Sequence, residues 1–365
     1  MAQKLNTLTV FLFLFAIYGA KPGSDITQAL TKAWTDACAS PTASKVVVPS
    51  RTYKLTKASF KGPCKAPIEI QVQGELQAPV DGGKLTKPDT WVALEHINML
   101  TISGSGTFDG QGALAWKLND CNKNKDCKSI AINMRFNFVF NSTMQDITSL
   151  DSKNFPVNIL GCHDVTFQHV NVTTPEESIN TDGIHIGRSP GINIIDAHIG
   201  TGDDCVSIGD GSKEITVTKV TYGPGHGISV GSLGRYPNEE PVVGIRVRNC
   251  TLTNTSNGVR IKTWHASLSD GIASDMHFED ITVVNISNPI IIDQQYFPWN
   301  QCKRNIRSKV KISNVNFKNI KGSSVTPLAV QIVCSRGLLC ENVELSNIDF
   351  TYNGNKALLP LNVLM

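Results

Sequence analysis

The sequence predicts an all-β protein: a right-handed parallel β-helix, closed at its N-terminal end by a short capping helix. Three observations carry this. First, a hexapeptide recurs. Asp182–Gly187 (DGIHIG), Asp204–Gly209 (DCVSIG) and His226–Gly231 (HGISVG) start 22 residues apart, about one turn of a solenoid coil. Looser copies follow at Asn257–Lys262 (NGVRIK) and Asn288–Asp293 (NPIIID). Second, another phrase repeats with apolar residues at positions 1, 3, 6 and often 8. It starts at Val165, Ile192, Ile215, Ile245, Met276, Val310 and Val343, at intervals of 23 to 34 residues. Alternation of two is a strand signal, and the break between positions 3 and 6 reads as a bend. Third, no window holds a helical apolar stripe over two successive helices, which excludes an α-solenoid.

The elements follow in order. Lys4 precedes an apolar run, Val10–Ile17, too short to span a bilayer and suited to a secretory signal over residues 1–20, with cleavage between 16 and 20. The alternative for this run is a buried strand. Ser24 is the expected cap of a helix that places Ile26, Ala29, Leu30, Ala33, Trp34 and Ala37 on one face, where it covers the open end of the solenoid. Residues 21–365 read as one catalytic domain, because no Pro/Gly/Ser linker or charge run divides them. The 365 residues are 41% hydrophobic and 18% charged, enough for a large core and unlike a disordered chain. A net charge of +3 without Lys/Arg blocks argues against a nucleic-acid partner. A monomer with no membrane contact in the mature form is expected.

Five Asn-x-Ser/Thr sequons, at Asn141, Asn171, Asn249, Asn254 and Asn285, agree with secretion. Ten cysteines in a secreted chain point to disulfides rather than metal. Sequence proximity favours Cys38–Cys64, Cys121–Cys127 and Cys334–Cys340. Cys162 and Cys250 fall where the repeat requires small apolar residues and read as buried thiols. Cys205 and Cys302 remain. No Cys-x-x-Cys pair supports zinc.

The chemistry is carried by the hexapeptides. Positions 3 and 5 are Ile or Val in every copy and point inward. Position 4 then faces outward as a column of His185, Ser207, Ser229 and Arg260, with Lys262 on the same face. Position 1 contributes Asp182, Asp204 and His226, and Asp203 precedes Asp204. One ridge thus carries acids at one end and cations at the other. Three close carboxyl groups cannot all ionise cheaply, so at least one pKa is raised. That separates a proton donor from a base, as glycoside hydrolysis requires. Arg260 offers a fork and Lys262 a point charge to an anionic sugar. Taken singly, each residue has a plainer reading. Asp182-Gly183 and Asn257-Gly258 are turn dipeptides, and Asn180 fits an internal Asn ladder. Asp203-Asp204 fits a solvated turn or a calcium site. Arg260 and Lys262 alone fit surface charge. The glycines beside His226 read as room for a ligand.

Together these residues resemble the polygalacturonases, the family 28 glycoside hydrolases, closest to the exopolygalacturonases of plant pollen. Asn180-Thr181-Asp182, Gly202-Asp203-Asp204, Gly225-His226-Gly227 and Arg260-Ile261-Lys262 stand in the order and spacing of that family. The resemblance runs from Tyr18-Gly19-Ala20 to the Cys334/Cys340 region. It implies inverting, exo-acting hydrolysis of α-1,4-linked galacturonan. Asp203 would be the general acid, Asp182 and Asp204 would activate water, and His226 would support the acid. Asn180, Arg260, Lys262 and Tyr296 would contact substrate. No metal or organic cofactor is implied.

The chain departs from the pattern in three places. The segment usually preceding Tyr-Gly-Ala is missing. Tyr222 replaces a cysteine that partners Cys205, and Phe297 one that partners Cys302. The competing readings are an endo-acting or rhamnogalacturonan hydrolase, a pectin-binding or allergenic β-helix, and a calcium-dependent pectate lyase.

Overall fold

The computed structural model describes residues 11–14, 18–81, 90–120, 130–297, 306–354 and 361–364. These residues form the expected right-handed parallel β-helix. Strands pair in parallel, coil on coil, in one sheet of 19 strands and another of 11. The smaller sheet positions the site. Its successive strands include Val157–Leu160, Ile184–Gly187, Val206–Ile208, Ile228–Leu233, Asn257–Trp264, Asn288–Tyr296 and Val330–Val333. Register follows the hexapeptides. Ile184 pairs with Val206, Val206 with Ile228, Ile228 with Val259, and Val259 with Ile290.

These residues and the parallel column from Ile186 to Ile292 are buried to 1% exposure or less. Each such side chain contributes about 1.5–3 kcal/mol. A slip of one residue would turn an entire column to solvent, so this apolar stack also fixes where the outward residues stand. A single cluster of buried side chains runs from Ile26 to Cys334.

The second phrase builds the larger sheet, and its bend is a left-handed residue at position 5. Asp146, His169, Asp196, Lys219, Asn249, Asp280, Asn319 and Asn347 all have φ between 51 and 57°. Most are Asn or Asp, which tolerate that region. The copy expected at Val310 stands one bend further along. Val315, not Val310, pairs with Met276, and Phe317 with Phe278. Val315 in turn pairs with Val343. Val310 and Ile312 belong to the preceding face, opposite Gly271 and Ala273. That long strand holds two breaks with the same apolar spacing, each at a left-handed asparagine (Asn314 and Asn319, φ 54° at both), so spacing alone could not tell one bend from the other.

The N-terminal helix spans Thr27–Cys38 and buries Ala29, Leu30, Ala33, Trp34 and Ala37. Ile26 holds the N-cap position and makes no side-chain cap bond; Asp25, not Ser24, serves the first turn from the residue before it. The Thr27 amide donates to Asp25 Oδ1 at 2.8 Å, whereas the Ser24 hydroxyl turns back to the Lys21 carbonyl. Trp34 packs at a tilt with its ring centre 5.0 Å from that of Phe60 and donates to the Lys61 carbonyl, seating the helix on the first coil. Within the expected signal core, Phe11–Leu14 forms a strand parallel to Ser44–Val48. Disulfides join Cys38 to Cys64 and Cys334 to Cys340. Cys121, Cys127 and Cys302 lie outside the described residues. Cys162, Cys205 and Cys250 are buried free thiols. No described helix is long and apolar enough to cross a membrane.

Candidate active site

Asp182, Asp204 and His226 sit in the turns just before three successive strands of the smaller sheet. Backbone pairing continues past the strand starts and brings the three turns into line. The Gly183 amide donates to the Asp204 carbonyl (2.9 Å), Cys205 to Gly227 (2.8 Å) and His226 to Asp203 (2.7 Å). The glycines around His226 serve this approach of backbone to backbone. Gly227 has φ +80°, and a Cβ there would stand 2.1 Å from the Asn257 carbonyl oxygen. One at Gly225 (φ +142°) would strike the Asp203 carbonyl and the Cys205 sulfur. Thr181 fastens the first turn to the second. It is buried, bonds Ser178, and accepts the Gly202 amide at 3.0 Å.

The three acids occupy different environments. Asp203 stands at the mouth, partly exposed, and its Oδ1 accepts the Asp204 amide (2.8 Å). His226 Nδ1 lies 3.0 Å from the same oxygen. Asp204 is fully buried and gripped. Its Oδ1 accepts from Arg260 Nη2 (2.8 Å) and the Ser229 hydroxyl (2.7 Å), and its Oδ2 accepts from Lys262 Nζ (2.6 Å). Burial alone would raise its pKa. The two cations and the donated hydrogen bonds outweigh burial and hold it below the usual carboxylate range. Asp182 lies on the other side of that balance. Burial, then repulsion from Asp203 and Asp204, pushes its pKa well up against the weaker pull of Lys262 and Ser207. The expectation of one raised carboxyl therefore falls on Asp182.

The outward column is present as expected: His185 pairs with Ser207, Ser207 with Ser229 and Ser229 with Arg260. The expected separation of acids from cations is not. Arg260 and Lys262 come from the second coil beyond Asp204, about 10 Å along the solenoid, and their long side chains reach back to its carboxylate. Tyr296 lies beneath both, its ring centre 5.9 Å from the Arg260 guanidinium and 5.3 Å from the Lys262 ammonium. Asn180 joins no internal ladder; it is exposed, with φ 62°. Exposed amide ladders run as in Asn347 to Asn319 to Asp280, and a half-buried pair joins Asn288 to Asn257 in the turns.

Sequence reasoning missed Ser229 and Thr181 as site residues. Ser229 bridges Arg260 Nε (3.1 Å) and Asp204, and its place in the outward column was the available signal. His185 also belongs here. Its Nδ1 lies 2.7 Å from the Ser207 hydroxyl, and burial lowers its pKa to about 4, so it is neutral above that pH. Asp293, opposite Lys262, is raised by burial. Past His226 the cleft opens into a groove of about 630 Å³ along Glu176, Gly202, Asn254, Asn285 and Asn353.

Single ligand atoms of Asp203, Asp204 and His226 lie within 4.8 Å of one another. Asp204 already accepts three side-chain donors, and Asp203 and His226 face each other. The trio is a hydrogen-bonded cluster and not an open donor set for a cation. Cys205, whose thiol burial pushes up to about 12, is no nucleophile. Tyr222 is buried beside Cys250 and Cys205, and burial pushes its hydroxyl's pKa well up.

A clustered trio of carboxylates backed by two cations on a parallel β-helix agrees with what the chain matches. The profile described as "Glycosyl hydrolases family 28" covers residues 38–363. The chain belongs to this family.

Among relatives, an exopolygalacturonase of Oenothera organensis is 55% identical over 331 residues, covering 90% of this chain and 91% of that one. A polygalacturonase of Medicago sativa is 53% identical, covering 92% of this chain and 81% of that one. The family 28 fold extends to the endo-xylogalacturonan hydrolase of Aspergillus tubingensis. That structure has a TM-score of 0.82 at 23% identity, covering 94% of this chain and 93% of that one. The exopolygalacturonase of Thermotoga maritima has a TM-score of 0.79 at 18% identity, covering 93% and 86%. As a family 28 member, the protein is a glycoside hydrolase.

Proposed function

We propose that this glycoside hydrolase removes galacturonate from the end of α-1,4-galacturonan chains, with inversion, in the plant cell wall. The observation that carries the reading is the cationic floor of Arg260, Lys262 and Tyr296 directly beside the acid cluster. A uronic acid is the sugar that such a floor selects. Relatives named exopolygalacturonase and polygalacturonase at 53–55% identity support it.

Asp203, at the mouth and next to His226, protonates the leaving oxygen. Water attacks the anomeric carbon and gives up its proton to the Asp182/Asp204 pair as the glycosidic bond breaks. The test is digestion of polygalacturonate with product sizing and proton NMR of the first product. Release of galacturonate alone, as the β-anomer, is the expected result. Early oligomers would make the enzyme endo-acting, and ultraviolet-absorbing products lost on chelation would make it a lyase. Lys262→Ala is expected to weaken binding of acidic oligomers on the order of tenfold, the value of one charge-assisted hydrogen bond. Esterified oligomers should be affected less, and equal losses on both would remove the carboxylate clamp.

Secretion belongs to the same reading. All five sequon asparagines are exposed, and the run from Val10 to Ile17 has the length of a signal core. N-terminal sequencing of the exported protein checks this. A chain retaining Phe11 would make that segment part of the β-helix instead.

A further inference from the structure

We infer that the substrate's carboxylate and Asp204 compete for the same two cations, so that a docking uronate loosens Asp204 and turns a clamped carboxylate into a working base. The inference rests on the proposed galacturonan reading and extends it to how the site is switched on.

The starting point is the number of donors on Asp204. Arg260 Nη2 at 2.8 Å, Ser229 Oγ at 2.7 Å and Lys262 Nζ at 2.6 Å occupy both of its oxygens. A carboxylate solvated this fully by charged and hydroxyl donors is stable as an anion and accepts a further proton poorly. It serves the cations well and water badly.

Arg260 and Lys262 are the two cations that grip Asp204 among the described residues. The groups acting on Asp204 or facing it are Lys262, Arg260, Ser229, Asp182, His185, Cys205, the adjoining Asp203 and His226, which bonds Asp203. A uronate that takes Arg260 or Lys262 as its counter-charge shares or displaces, with each hydrogen bond it gains, one held by Asp204. Loss of either cation exposes Asp204 to the full effect of its burial and of two neighbouring acids, both of which favour proton uptake.

In the activated state the water oxygen bonds to the anomeric carbon while its proton passes to Asp204. The bond to the leaving oxygen breaks as that oxygen takes the proton of Asp203. Atoms and charge balance without any further reactant.

A consequence separates this from simple electrostatic binding. A methyl ester at the sugar next to the cations carries no charge to compete, so it leaves Asp204 clamped. The ester should then lower kcat more than it raises KM, whereas a binding-only role predicts a rise in KM with kcat kept.

The direct test compares trigalacturonate affinity in two inactive variants, Asp203→Asn and Asp203→Asn/Asp204→Asn, by calorimetry at pH 5. Removing the competitor should tighten trigalacturonate binding at least tenfold and leave the fully methyl-esterified trimer unchanged. Equal or weaker binding of trigalacturonate by the double variant overturns the competition but not the galacturonan reading. No binding by either variant overturns both. Should the double variant not fold, the wild-type kcat and KM split between acidic and esterified trimers decides alone. An unchanged kcat for the ester overturns the inference.

Discussion

Two Arg–Asp pairs lie on opposite faces of the same solenoid with the same geometry. On the larger sheet, Arg246 Nη2 meets Asp275 Oδ2 at 2.8 Å; on the smaller, Arg260 Nη2 meets Asp204 Oδ1 at 2.8 Å. Both join residues of different coils, and both arise because coils bring distant sequence positions together. Their exposures differ: 29% and 41% for the outer pair, 15% and 2% for the inner one. Outside, water competes for each charge, and such a pair contributes about 0–1 kcal/mol. Inside, each partner depends on the other, and removing one strands a charge at a cost of about 3–5 kcal/mol. The fold supplies contact everywhere. Burial decides where contact becomes chemistry.

The largest expected effect lies beside the inner pair but not in it. Asp203→Asn should lower hydrolysis of polygalacturonate by at least on the order of 10²–10⁴-fold, with the unfolding midpoint nearly unchanged, since Asp203 is partly exposed and holds neither cation. Near-normal turnover would take the acid role from it. Next, Asp204→Ala should destabilise the protein by about 3–5 kcal/mol in urea unfolding, because Arg260 and Lys262 would remain largely buried without their shared counter-ion.

Asp182→Asn should separate stability from activity in the other direction. The folded pKa of Asp182 is raised, so its contribution to stability is full below the unfolded value near 3.8 and is lost as pH rises through the folded value. An amide escapes that loss. Thermal scans should show the variant more stable than the wild type at pH 7 and without that advantage at pH 3, while activity falls. For Asp204 the sign reverses. Its lowered pKa stabilises the fold above about 3.8, and that stability is lost as pH falls through the lower folded value. The smallest effect is Asp275→Ala, expected at less than about 1 kcal/mol and reduced further by salt. A loss matching that of Asp204→Ala would break the contrast between the two faces.

Much of this was written in the chain as period. Hexapeptides 22 residues apart gave the strand stack, the inward Ile/Val columns and the outward line from His185 to Arg260. Those follow from strand alternation, which is local. Period was less informative where one long strand carries two bends of the same spacing, at Asn314 and Asn319, and the copy assigned to Val310 belongs at Val315 for that reason. The helix start was placed too early, because Ser24 and Asp25 are equally good partners for a first turn until the backbone puts Ile26 at the cap position and turns Asp25 toward Thr27.

By itself, the sequence determined which residues share the ridge, because alternation and repeat length are properties of the chain. Only the tertiary structure decided which of those residues touch. It bent Arg260 and Lys262 back across two coils onto Asp204, left Asp203 at the mouth, and set Asp182 half-buried against the two other acids. Those outcomes depend on side-chain reach and on the exclusion of water, and neither quantity exists until the coils are stacked.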